Sequence, residues 1–308
     1  MKTTVDWLKF RTVKSPFETL AAVAPAFGTT ADLLTLGEPG KGRDGWLHRR
    51  AVLLAGEQTL AQIDYGGDSQ RGWARFDMSG AGCEWVQDWH TMAAALQGIG
   101  AELRRVDLAL TIHDGSVTHD RVVQAHANGM FSSGGRNPKS RVITGSDPRD
   151  GRTFYAGSRQ GAKFIRCYEK GFEVYQKMIA AYGFSAEGMT LDGKRLEDIY
   201  RVELELKPDR CVIPWETIDQ RDQYFAGAFP YLAQVLPAVE PQALVTRRER
   251  MPQLELAMAL NTIQRQYGNT LFTALHAYHG DMGAVWDQII GKKHNKALID
   301  AGVLMVEH

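Results

Sequence analysis

"GAKFIRCYEKGFEVY", Gly161 to Tyr175, begins as a strand and ends as a helix. Side chains alternate along a strand, so Arg166, Tyr168 and Lys170 share one side while Ile165 and Cys167 point to the other. The stretch predicts a sheet with one polar and one apolar face, and it sets a tyrosine between two cations. Such a tyrosine is either a well-packed strand residue or a nucleophile.

Two other strands repeat the pattern. In "RRVDLAL" Val106, Leu108 and Leu110 face a core, leaving Arg105, Asp107, Ala109 and Thr111 opposite. In "YRVELELK" Val202, Leu204 and Leu206 face the core, leaving Arg201, Glu203, Glu205 and Lys207 opposite. A half-exposed sheet ordinarily alternates in this way, so each strand alone reads as a solvated face. As neighbours, the three would gather Asp107, Glu203 and Glu205 beside Arg166, Tyr168 and Lys170. Clustered carboxylates suit a hard cation, Mg²⁺ or Mn²⁺, which can also bind a phosphate. A tyrosine that attacks a phosphodiester forms a covalent phosphotyrosine and conserves the bond for rejoining. The phenol's ordinary pKa is about 10, so the site is expected to favour the phenolate through Arg166, Lys170 and the metal. Tyr155, in "RTFYAGS", is the rival nucleophile. Tyr175 and Tyr182 lie on a helix's apolar face, and Tyr200 alternates with core residues.

The rest of the chain predicts an α+β fold, a mainly antiparallel sheet with helices on one face. "VDWLKFR" reads as a strand and "SPFETLAAVAPAFG" as a helix with Ser15 as cap and Glu18 three residues on. A second βα unit, "RRVDLALTIHDG" with "SVTHDRVVQAHANGM", follows about 100 residues later, so the core reads as a pseudo-repeat. "CEWVQDWHTMAAALQGIG" carries Trp85, Trp89, Met92 and Leu96 at helical spacing. Beyond Pro241 the pattern is helical only, with "QLELAMALNTIQRQYG" and "TLFTALHAYHG" as separate helices, each ending at glycine. The expected domains are residues 1–240, carrying the chemistry, and a helical carboxy-terminal domain, 241–308, joined by "EPQALVTRRERMP".

Composition is that of a globular protein: 308 residues, 44% hydrophobic, 23% charged and no formal net charge. Three scattered cysteines make no zinc or disulfide pattern, and no signal core or membrane-length apolar run is evident, so the expected setting is cytoplasmic, without membrane. "GEPGKGRDG" lacks the spacing of a phosphate loop. Charge is locally uneven: Phe131 to Lys170 holds nine Arg or Lys residues against three acids. Arg136, Lys139, Arg141, Arg152, Arg159 and Lys163 of this stretch are either scattered charges of a solvated loop or the candidate DNA-binding residues.

At "VDWLKF", "FDMSGAGCEW", "RVDLAL", "TFYAGSRQGAKFIRCYEKGFE" and "YRVELELK", spread over residues 5–207, the chain resembles the replication initiation factor family of rolling-circle plasmids and filamentous phages, with related relaxases. The resemblance implies a site-specific nickase and ligase that opens an origin, joins the 5′ phosphate and leaves a 3′ hydroxyl for the host polymerase. Carried over, the nucleophile is Tyr168, with Lys170 and Glu173 as the motif's other polar members. Asp107 and Glu203 match the acidic strand positions, and Glu205 is a third ligand. The implied partners are origin DNA, the host helicase and polymerase, and a second copy of the chain in a homodimer. Two other readings stand beside it: a DNA-binding regulator without chemistry, and a nuclease that activates water with Tyr168 positioning the strand.

Overall fold

Apolar residues at every second position dictate the central strands, and a computed structural model shows how they assemble. It describes residues 2–299, except 133–134, 148–149, 184–189, 192, 210, 245–251 and 296–297. Arg149 and the centre of the expected linker lie outside the described residues.

The first half of the fold runs β1 (Thr4–Thr12), α1 (Pro16–Val23), β2 (Leu34–Leu36), β3 (Gly40–Lys41), β4 (His48–Leu54), β5 (Gln58–Tyr65), β6 (Ala74–Ser79), α2 (Gly80–Cys83) and α3 (Trp89–Gly98). The second runs β7 (Glu102–Ile112), α4 (His119–Ala127), β8 (Ser140–Thr144), β9 (Arg152–Gly157), β10 (Lys163–Tyr168), α5 (Lys170–Tyr182), β11 (Thr190–Leu191), β12 (Lys194–Arg195) and β13 (Tyr200–Leu206). Short helices α6 (Glu216–Asp219), α7 (Arg221–Ala226) and α8 (Pro230–Val235) follow, then α9 (Pro252–Ala277) and α10 (Met282–Ile289).

One antiparallel sheet orders its strands β2-β4-β5-β6-β1-β7-β13-β10-β9-β8, with β3 on β4. The order carries the pseudo-repeat. From the centre outward the first half reads β1, β6, β5, β4 and the second β7, β13, β10, β9, each a strand, a helix and then three strands laid back toward it. Leu8 and Phe10 of β1, Val106, Leu108 and Leu110 of β7 and Val202, Leu204 and Leu206 of β13 are all fully buried. They join Leu20 and Val23 of α1, Met92 and Leu96 of α3, Val122 of α4, Ile218, Phe225 and Leu232 in one core. Helices thus cover one face of the sheet, and the other is left to polar side chains. The Ser15 capping box that opens α1 is formed as the sequence predicts.

Several elements differ from their sequence patterns. Asp88, whose side chain accepts from the His90 N–H, starts α3 at Trp89, leaving Trp85 outside it and 45% exposed. Helices α6 to α8 have no long periodic signal because each is at most six residues, yet Phe225 and Leu232 seal the core. Gly268 does not end a helix; α9 runs through it for 26 residues. The chain divides into two compact units, Met1–Leu244 and Val245–His308. The second contains α9 and α10, whose buried Val285 lies between exposed Met282, Trp286 and Ile289. No described helix is long and apolar enough to cross a membrane.

Helix α5 leaves the sheet directly after Tyr168, and its entry is tight. The Gly171 N–H donates to the Ile199 carbonyl at 3.1 Å, and a Cβ at Gly171 would overlap the Leu196 carbonyl. Gly171→Ala is therefore expected to destabilise the fold by about 1–3 kcal/mol, read as a lower urea midpoint with unchanged m-value. An unchanged midpoint would show that α5 docks more loosely than described.

Candidate active site

The polar face is organised in rows that cross the strands, because paired residues in an antiparallel sheet point the same way. One row is Ile143, Thr153, Tyr168, Arg201 and Thr111; the next is Arg141, Tyr155, Arg166, Glu203 and Ala109. A third is Gly157, Phe164, Glu205, Asp107 and Trp7. The three strands singled out in the sequence are thus neighbours, β10 on β13 and β13 on β7.

Tyr168 is only 6% exposed, and its hydroxyl donates to Glu203 Oε1 at 2.8 Å. The Arg166 guanidinium lies 4.2 Å from the centre of its ring and the Lys170 ammonium 5.7 Å. Lys170 is not a β10 residue, however: the strand ends at Tyr168, and Lys170 opens α5, where it bonds Glu173 at 3.0 Å. The expected phenolate is corrected as well. Burial, and then the Glu203 charge that accepts its proton, push the Tyr168 pKa well above its ordinary value, and Arg201 offsets this only in part. Two cations against the ring do not outweigh a carboxylate at the hydroxyl. Glu173 goes the other way: burial opposes ionisation, but hydrogen bonds from Lys177 and Lys170 bring its pKa down to about 2.

Glu203 is a hub. Besides Tyr168 it receives Arg201 Nε at 3.0 Å and Arg166 at 3.4 Å. Arg201 reaches on to Thr111 at 2.9 Å and to Asp6 at 2.5 Å. Asp6 gets there through a β-bulge between Val5 and Trp7, an extra residue that re-aims a side chain. Its pKa is raised by burial, lowered by Arg201 and raised by Glu203. Neither Arg201 nor Asp6 stands out in the sequence. Arg201 sits at the right parity of β13 but resembles a solvated charge, and nothing in "TTVDWL" announces a bulge.

Asp107 and Glu205 form a separate pair. They are 8% and 6% exposed, and one nitrogen of Arg105 meets them at 2.6 and 3.0 Å. Burial lifts the Asp107 pKa to about 6; Arg105 opposes this, and the Glu205 and Asp6 charges add to it. Among the described residues no three His, Cys, Asp or Glu side chains gather as a metal-binding group. The three carboxylates share a face, but Glu203 bonds Tyr168, Arg201 and Arg166, whereas Asp107 and Glu205 meet at Arg105. In donor type and adjacency, Asp107 and Glu205 suit one hard cation, which would have to displace Arg105 from both carboxylates and Lys207, at 2.5 Å, and Arg159, at 3.7 Å, from Glu205.

The basic candidates divide by strand parity. Arg141 stands in the row of Tyr155 and Arg166, and Lys139 and Arg159 line a cavity beside them. Arg152 and Lys163 have the opposite parity and face the helices. Arg152 bonds Glu169 and Asp120 of α4, each at 2.8 Å, and Lys163 donates to the Ala228 carbonyl at 2.9 Å. Arg136 lies on that side too, around a cavity with Phe131 and Phe229. These three are not part of the face that holds Tyr168. Tyr155 is half-buried on that face, one strand from Tyr168, while Tyr200 is in the core beside His119.

The sheet face opposite the helices thus brings together a tyrosine, a carboxylate hub and arginines. The model of the replication initiation factor family matches residues 101–255, and the chain belongs to that family. The match covers β7 to β13 and helices α6 to α8, the half of the sheet that holds Tyr168 and Glu203. Among solved structures the fold is shared with a rolling circle replication initiator protein from Geobacillus stearothermophilus, at 21% identity and a TM-score of 0.52 over 73% of this chain and 83% of that one. No curated protein sequence matches the chain.

A buried phenol held by a carboxylate resists ionisation. Its raised pKa contributes stability that is full below pH about 10 and declines above it. In chelator, wild type and Tyr168→Phe should show the same phenolate absorbance through the ordinary tyrosine range. An extra phenolate in the wild type there would show that Glu203 does not hold the proton.

Proposed function

We propose that the chain is a rolling-circle replication initiator that nicks and rejoins one DNA strand at an origin through Tyr168. The observation that carries this is the Tyr168–Glu203 hydrogen bond under the Arg166 guanidinium, a nucleophile already bonded to its base. Tyr168 Oη attacks the phosphorus as its proton passes to Glu203 Oε1. The bond from phosphorus to the 3′ oxygen breaks, the 5′ phosphate stays on the tyrosine, and the departing 3′ oxygen takes up a proton to become the hydroxyl a host polymerase extends. Arg166 binds a non-bridging oxygen; its buried Nε has no partner among the described residues. Arg201 holds Glu203 in place from the other side. Asp107 and Glu205 would hold Mg²⁺ or Mn²⁺, which when bound supplies neutralisation of phosphate charge. Rejoining is the same displacement in reverse, with Glu203 returning the proton.

Removing only the hydroxyl tests the nucleophile. With a labelled single-stranded oligonucleotide carrying the replicon's origin, Tyr168→Phe should keep its fold and DNA binding yet give neither nick nor adduct on a denaturing gel. An adduct that peptide mapping places on Tyr155 would overturn the assignment. A labelled strand cut without any adduct would indicate water as the nucleophile. Glu203→Gln should slow cleavage by about 10²–10⁴-fold, the worth of a positioned base. Asp107→Ala should abolish cleavage and spare binding, and undiminished cutting in excess chelator would remove the metal from the proposal.

A further inference from the structure

Beside the tyrosine, between β8, β9 and β10, is a cavity of about 460 Å³. Tyr155 and Phe164 form its aromatic wall, stacked with ring centroids 5.7 Å apart. Phe164 is the backing ring, 8% exposed, and Tyr155 is the half-exposed one. The Arg159 guanidinium covers Phe164 at 4.6 Å and reaches toward Glu205 at 3.7 Å. Lys139 and Arg141 supply the rim, and no carboxylate lines the cavity among the described residues.

The hollow is written into the backbone. In the row that runs to Glu205 and Asp107, Gly157 stands opposite Phe164 where a side chain would fill the space. Its φ is +94°, and an added Cβ would come within 2.8 Å of the Lys163 carbonyl, so no other residue replaces it without strain.

Aromatic rings flanked by cations, with no acid among the lining, suit a flat neutral ring tethered to a negatively charged group, which describes a nucleotide's base and phosphate. The position agrees. Tyr155 pairs with Arg166, and Phe164 lies four residues before Tyr168 on the same strand, about 13 Å away at the rise of a strand. A base in a duplex is stacked on both faces and cannot enter; an unpaired one can.

Resting on the nicking proposal above, we propose that this cavity takes one unstacked base of the DNA strand next to the phosphodiester that Tyr168 attacks, with Tyr155 as its stacking partner and Lys139, Arg141 and Arg159 on the adjoining phosphates. Tyr155 is thereby a specificity residue, and the site selects single-stranded over duplex DNA.

The full chain carrying Tyr168→Phe, which does not cut, is titrated by fluorescence anisotropy with labelled oligothymidylate and with an abasic strand of equal length. The base-bearing strand should bind about tenfold or more tightly. Tyr155→Ala should erase that preference while leaving abasic affinity unchanged, and Tyr155→Phe should restore it, because stacking needs the ring and not the hydroxyl. Equal affinity of the two strands for the parent protein overturns the inference with no Tyr155 variant needed. So does a preference that survives Tyr155→Ala, or a loss of affinity that is the same on both strands. Adduct formation by the wild-type chain separates the two proposals: an adduct without base preference removes only this one, and base preference without an adduct removes only nicking.

Discussion

Slide β13 by one residue against β10 and Glu203 enters the core, Val202 faces solvent and Tyr168 loses its partner. A strand's side-chain period of two makes register an all-or-none property wherever one face is buried. What pins the register is the apolar face. Ile165 and Cys167 of β10 and Val202 and Leu204 of β13 are all fully buried, and each is worth far more than an exposed ion pair. The polar face is thus selected indirectly. Hydrophobic packing on one side decides which hydroxyl meets which carboxylate on the other, and the arginines of the face adjust to an arrangement already fixed.

Strand periodicity carries this logic openly, so the sheet, its polar face and the company of Tyr168, Glu203 and Arg166 were legible in the sequence. The alternation of Val106, Leu108 and Leu110 left only one side for Asp107. Three kinds of information were hidden. Parity misled at Arg152 and Lys163, because a local count of basic residues ignores which face each occupies. Hydrogen-bond direction misled at Tyr168: nearby cations suggested a phenolate, while the structure gives the hydroxyl a carboxylate acceptor at 2.8 Å. The bulge at Asp6 depends on how β1 pairs with β7, a long-range fact with no local signature. Short helices such as α7 escaped for a related reason, since six residues are too few for a period to show.

The two halves of the pseudo-repeat use the same face differently. In the first half, fully buried Asp64 is gripped by Arg49 at 2.8 Å and Arg75 at 2.9 Å, Lys9 pairs with Asp77 at 2.7 Å, and Arg11 lies 4.3 Å over Trp73. These charges are matched among themselves, and losing one partner of a buried group such as Asp64 is far costlier than the net worth of the pair. In the second half Asp107 and Glu205 are answered by Arg105, Lys207 and Arg159, while the Arg166 Nε has no partner among the described residues.

The bond from Arg201 to Asp6 joins residues 195 apart in the chain. Contacts of that span are slow to form, since the loop must close before anything is gained by closing it. On a ribosome adding about 5–20 residues per second, Asp6 waits roughly 10–40 s for Arg201 to be made. Only in the last part of that interval does the strand bearing Tyr168 exist, and until β13 follows it has no neighbour on its central side and its hydroxyl lacks Glu203. The cluster around Tyr168 is therefore completed in one step, by the last strand to be translated into the middle of the sheet.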